Sequence, residues 1–162
     1  MRQGDRSVRP LRADATIIEP RPAPRQLPAS PVTPARTCDY GGILASVGEA
    51  AYEWRIATDC LTWSDNAAAV LGLADCEAIA TNRGFARLLA PDTTETRFDA
   101  VMRTEARDEG QGVPYQLQYA LQGSAGQPLW LEDTGRWFAG PDGRPRLAHG
   151  VVRAINERHA QE

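Results

Sequence analysis

The stretch from Tyr52 to Asn66 constrains the fold more than any other part of the chain. Tyr52, Trp54 and Ile56 alternate with Glu53, Arg55 and Ala57, the period-two pattern of a strand with one buried face. Thr58-Asp59 turns the chain, and Leu61 and Trp63 resume the alternation. Ser64 or Asp65 is expected to cap the helix that follows, because a short side-chain oxygen accepts from an unpaired amide in a first helical turn.

The remaining elements follow from similar signals. Residues 42–48 read as a short lead helix with Ile43, Leu44 and Val47 on one face. Residues 65–71 form an Ala-rich helix stopped by Gly72, and residues 82–89 a second short helix with Phe85, Leu88 and Leu89 inward. Asp92, with Glu95 three residues on, predicts a capping box opening the longest helix. Its apolar stripe is Phe98, Val101 and Met102, and Gly110 ends it. Strands are predicted over 113–121, 129–139 and 146–155, separated by Gly123-Ser-Ala-Gly126 and Gly140-Pro-Asp-Gly143. Tyr115, Leu117 and Tyr119 share one face of the first of these, opposite Gln116 and Gln118. Two strands, several helices and three strands make an α+β fold: a five-stranded antiparallel sheet with helices on one face.

Residues 1–40 differ in kind. They hold seven of the twelve prolines and seven arginines against four acids. Such a stretch cannot offset its ordering entropy by burial, so a disordered Pro/Arg-rich leader is expected over 1–40, with the domain over 41–158 and a linker starting over 159–162. The rest of the chain is acidic, eleven arginines against seventeen acids, which argues against nucleic-acid binding. Cys38, Cys60 and Cys76 are scattered without a close His, which argues against zinc and a disulfide framework and points to the cytoplasm. No apolar run is long enough for membrane insertion.

Three segments carry a family resemblance. They are the hairpin with Trp54, Asp59 and Leu61-Thr-Trp63-Ser64, the strand Trp130-Leu-Glu-Asp133-Thr-Gly135, and the ending Gly150-Val-Val-Arg-Ala154-Ile-Asn156-Glu157-Arg158. Together, over about residues 43–158, they resemble a PAS domain of the type that precedes bacterial GGDEF and EAL cyclic-di-GMP enzymes or histidine kinases. The resemblance implies a cytoplasmic sensory module of bacterial signal transduction. It further implies a homodimer through the outer sheet face and lead helix, and an output domain in cis or in trans. The family ending usually has Asp where this chain has Ala154 and Thr where it has Asn156, which leaves Asn156, Glu157 and Arg158 to couple the last strand to the linker.

Ligand-pocket candidates on this reading are Trp54, Trp63, Phe85, Leu88, Phe98, Met102, Tyr115 and Tyr119. Candidates for dimer or output contacts are Ile43, Leu44, Val47, Trp130, Ala154, Asn156, Glu157 and Arg158. No cofactor or metal is predicted: residues 91–110 lack a haem-ligating His, and residues 82–88 lack the Cys of photoactive flavin domains, though an unknown small ligand remains open. No catalytic motif is present, so the chain is not read as an enzyme. The alternatives are a protein–protein adaptor without a ligand and a small cone-pocket enzyme. The enzyme would need a buried Asp/Tyr pair, with Tyr115 and Asp133 as candidates.

Overall fold

The first hairpin forms where the alternation places it, except that the first strand ends at Arg55 and Ile56 and Ala57 leave it for the turn. In the computed structural model, which describes residues 37–123 and 126–156, strand β1 (Glu49–Arg55) pairs antiparallel with β2 (Cys60–Trp63). A 3-10 turn over Ile56–Thr58 leads to Asp59, which takes the left-handed conformation at φ 56°. Asp is one of the few non-glycine residues that tolerates this region. Its carboxylate accepts from Trp54 Nε1 at 3.0 Å and from the Arg83 amide at 3.2 Å, so the turn residue ties the hairpin to a helix start.

Strand β3 (Val113–Leu121), β4 (Leu129–Ala139) and β5 (Pro145–Ala154) complete one sheet of order β2-β1-β5-β4-β3, antiparallel throughout. The predicted bounds of β3 and β4 hold to the residue, and β5 begins and ends one residue early. Both Trp-bearing segments therefore lie in a single five-stranded platform. Ala50, Tyr52, Trp54, Leu117, Tyr119, Leu131, Trp137, Ala148 and Val152 form its buried face.

Helices α2 (Ala67–Leu71), α3 (Asn82–Ala86) and α4 (Arg97–Met102) each bury residues against that face, whereas the lead helix α1 (Tyr40–Ser46) buries none. Asp39 caps α1, and Gly72 ends α2 at φ 65°, as its sequence position predicts. The expected cap of α2 differs. Asn66 is the N-cap and makes no capping bond; Ser64 Oγ accepts from the Ala51 amide at 2.9 Å, and Asn66 donates to the Glu49 carbonyl at 2.7 Å. These side chains satisfy the β1 backbone beyond the end of β2, a stronger demand than an exposed helix start.

Helix α3 stops at Ala86 rather than Leu89 because the following chain pairs with β3. Leu88 and Ala90 exchange backbone bonds with Gln122 and Ala120, each 2.8 Å. The largest correction concerns α4. Asp92 and Glu95 do not form a capping box, and the helix is six residues long instead of the longest in the chain. The box is Thr96–Asp99: Thr96 Oγ1 accepts from the Asp99 amide, and Asp99 accepts from the Thr96 amide at 3.0 Å. Past Met102 the chain is irregular. Asp108 holds it, accepting from the Gly110, Gly112 and Ala139 amides at 2.8, 2.7 and 2.9 Å, and Arg136 donates to the Gln111 and Gly112 carbonyls.

The expected disordered leader lies outside the described residues except for 37–40, as do Glu157, Arg158 and the linker start over 159–162. Among the described residues no helix is long and apolar enough to cross a membrane.

Candidate functional site

Helix α4 turns an unexpected face to the sheet. Val101 is buried as predicted, but its companion one turn earlier is Arg97, at 2% exposure, while Phe98 and Met102 are 44% and 39% exposed. The stripe is therefore Arg97–Val101, and Phe98 and Met102 do not line the interior. The cause is Asp133. It occupies an inward position of β4 between Leu131 and Gly135, is wholly buried, and requires a cation.

Arg97 supplies that cation. Its Nε and Nη2 both donate to Asp133 Oδ2, at 2.9 and 2.7 Å, and Nη1 donates to Asn82 Oδ1 at 3.2 Å. Tyr119 also donates to Oδ2, at 2.6 Å, and Tyr52 donates to Oδ1 at 2.6 Å. The Tyr52 oxygen in turn meets the Tyr115 hydroxyl at 2.5 Å, with Tyr115 as donor. The guanidinium carbon lies 3.8 Å from the Tyr52 ring centre, 4.7 Å from Phe85 and 5.7 Å from Trp63. Six side chains from β1, α3, α4, β3 and β4 thus form one closed hydrogen-bonded network in a buried setting.

The electrostatics follow from burial. Desolvation opposes the charge on Arg97, yet Asp133 and then Tyr119, Tyr52 and Tyr115 hold its pKa well above the usual value. Burial pushes Tyr115 up to about 12 and raises Tyr52 and Tyr119 well above 10.0. Burial thus keeps the three phenols protonated beside the Arg97–Asp133 ion pair.

Of the pocket candidates, Trp63, Phe85, Tyr115 and Tyr119 gather around this network, and Trp54 packs in the same core while bonded to Asp59. Leu88 instead lines a groove of about 350 Å³ at the far end of the fold, with Leu71, Leu121, Leu129 and Asn156. Tyr115 and Asp133 do come together, through Tyr52, but Asp133 is already saturated by donors from within the chain. Sequence reasoning left out Arg97 and Asn82. The available signal was a carboxylate at an inward strand position and an arginine at i, i+4 spacing from Val101.

The dimer and output candidates divide. Ile43 on α1 and Val47 at its C-cap are exposed, and Leu44 is half-buried. Trp130 is half-buried on β4, and Ala154 pairs with Leu131. Asn156 makes a clamp: its Oδ1 accepts from the Trp130 amide at 2.7 Å and its Nδ2 donates to the Pro128 carbonyl at 3.3 Å. On the outer face His149 packs against Phe138 with the rings tilted by 58° and 5.0 Å between centres, beside a groove of about 540 Å³ that includes Arg55, Leu147 and Arg146.

A profile of the PAS fold matches residues 61–152. The chain belongs to the PAS fold family, whose members are sensory modules and generally non-catalytic. Among solved structures, it is similar to a sensory box histidine kinase/response regulator from Burkholderia thailandensis E264. That likeness has a TM-score of 0.57 at 18% identity and covers 74% of this chain and 86% of that one. It is also similar to the N-terminal domain of a diguanylate cyclase with PAS/PAC sensor from Marinobacter aquaeolei, with a TM-score of 0.56 at 15% identity, covering 68% and 98%. An RNA-binding light-oxygen-voltage receptor follows, with a TM-score of 0.52 at 21% identity, covering 68% of this chain and 30% of that one. At such identities the likeness establishes the fold. No curated protein matches the chain. An adduct-forming flavin does not fit the residues present: α3 reads Asn-Arg-Gly-Phe-Ala without a cysteine, and the Arg97 guanidinium fills the aromatic space above the sheet.

Proposed function

We propose that this PAS domain is a cytoplasmic signal-coupling module, acting as a homodimer through the outer sheet face and α1, that passes a conformational bias through Asn156 to a cyclic-di-GMP or histidine-kinase output domain. The observation that carries the reading is the clamp at the end of β5. This strand lies in the middle of the sheet, between β1 and β4, the strands that carry Tyr52 and Asp133 of the buried network. Asn156 there bonds two backbone groups of the neighbouring segment. The aligned solved structures from a histidine kinase and a diguanylate cyclase support the choice of output.

The test fuses residues 1–162 to a diguanylate cyclase catalytic domain stripped of its own sensor. Cyclic-di-GMP output should change several-fold on Asn156→Ala with little change in melting temperature, and sedimentation should report a dimer. Output indifferent to Asn156, from a strictly monomeric fusion, overturns the reading. A ligand-free adaptor is the second reading, favoured by the Arg97 side chain occupying the interior; an unchanged melting temperature across small-molecule libraries would select it.

A further inference from the structure

The Arg97 side chain sits in a box with the chemistry of a receptor for its own head group. A guanidinium is a flat, weakly hydrated cation that stacks on aromatic faces and pairs with acceptors in its plane. Tyr52, Phe85 and Trp63 supply the faces, at 3.8, 4.7 and 5.7 Å. Asp133 and Asn82 supply the acceptors, taking Nε, Nη2 and Nη1. All of these walls belong to β1, β2, α3 and β4; α4 contributes the side chain that fills the box.

Helix α4 has a short attachment to the sheet. It spans six residues, buries only Arg97 and Val101, and is flanked by irregular segments over 91–96 and 103–112. The buried ion pair is what ties α4 to the sheet, and breaking it strands a charge unless another cation takes the place of Arg97. Lifting α4 leaves an aromatic-walled cavity with an unpaired carboxylate, which demands a replacement cation.

We propose that this box is a binding site for small guanidinium compounds, alkylguanidines or arginine-like molecules, with Arg97 as the resident internal competitor that leaves with α4 when the outside ligand enters. A primary ammonium is the poorer guest, being compact, strongly hydrated and unable to engage Asp133 and Asn82 from one plane. The inference rests on the signal-coupling reading and names the class of signal. Failure of ligand binding leaves the Asn156 result standing, and the reverse also holds.

The experiment uses the full chain carrying Arg97→Ala, titrated with ethylguanidinium, n-propylammonium or urea at millimolar concentration. Ethylguanidinium should raise the melting temperature saturably, by about 5 °C at ten times its Kd, while the other two do not. Adding Asp133→Asn should abolish the response. The unsubstituted chain should need at least about tenfold more ligand, because only its open fraction is competent. If Arg97→Ala does not fold unaided, refolding in ethylguanidinium against n-propylammonium reads the same preference. A variant that responds alike to both cations, or to neither in melting and refolding, overturns the proposal.

Discussion

Tyr52 and Tyr115 meet hydroxyl to hydroxyl at 2.5 Å although β5 and β4 lie between their strands. Three inter-strand steps of about 4.8 Å separate their backbones by roughly 14 Å. Two phenols span that gap only by lying flat along the sheet. Gly150 and Gly135, paired with each other and with Tyr52 and Tyr115 across the register, leave the surface bare for them. A Cβ at Gly135 would stand 2.5 Å from the Tyr115 ring, and one at Gly150 would stand 2.7 Å from the Tyr52 oxygen.

Gly135→Ala and Gly150→Ala should therefore each destabilise the fold by about 1–3 kcal/mol through overpacking. Pairing Gly135→Ala with Tyr115→Ala should recover part of that loss, since the ring is one of the groups struck. Urea denaturation measures both. Full additivity of the pair would place the strain in the backbone alone.

Stability should also fall at high pH. Tyr115 is raised to about 12 in the fold, against 10.0 for an ordinary phenol, chiefly by burial. The native state thus holds this proton more tightly than the unfolded chain does. Its contribution is complete below pH 10.0 and is lost as pH climbs through about 12. Tyr52 and Tyr119 act in the same direction. The urea midpoint should fall over this window, and Tyr115→Phe should flatten the fall.

The legible parts of this chain were those where one force decides. In β3 and β4, alternation and flanking turns agree, so their bounds were readable to the residue. Around α4, two patterns competed. Asp92–Glu95 and Thr96–Asp99 have the same spacing, and Phe98 with Met102 made an apolar stripe as plausible as Arg97 with Val101. The choice was made by Asp133, thirty-six residues away, whose buried carboxylate needs Arg97. Tertiary charge pairing overrode local hydrophobic periodicity, and no window on α4 alone contains that information.

Thr96→Ala should cost about 1 kcal/mol by removing the cap that sets the start of α4. Amide exchange at Asp99 should quicken in that variant, and the fluorescence of Trp63 should report a looser box. Exchange unchanged at Asp99 would deny Thr96 this role.

Asp108→Asn should loosen the segment over 103–112. Backbone bonds from Ala139 and Gly110 hold the Asp108 carboxyl below its ordinary 3.8, so the latch is present above that pH and released as pH falls through the lowered value. Faster amide exchange at Ala139 and Gly112, both in the variant and in acid, is the expected reading.

A double-mutant cycle on Arg97→Met and Asp133→Leu, read by urea unfolding, tests most directly whether this domain is closed around its own buried ion pair. Each single change should cost about 3–5 kcal/mol by stranding a charge, and the double variant should regain most of that loss. Single losses below about 0.5 kcal/mol, or losses that simply add, would contradict the account.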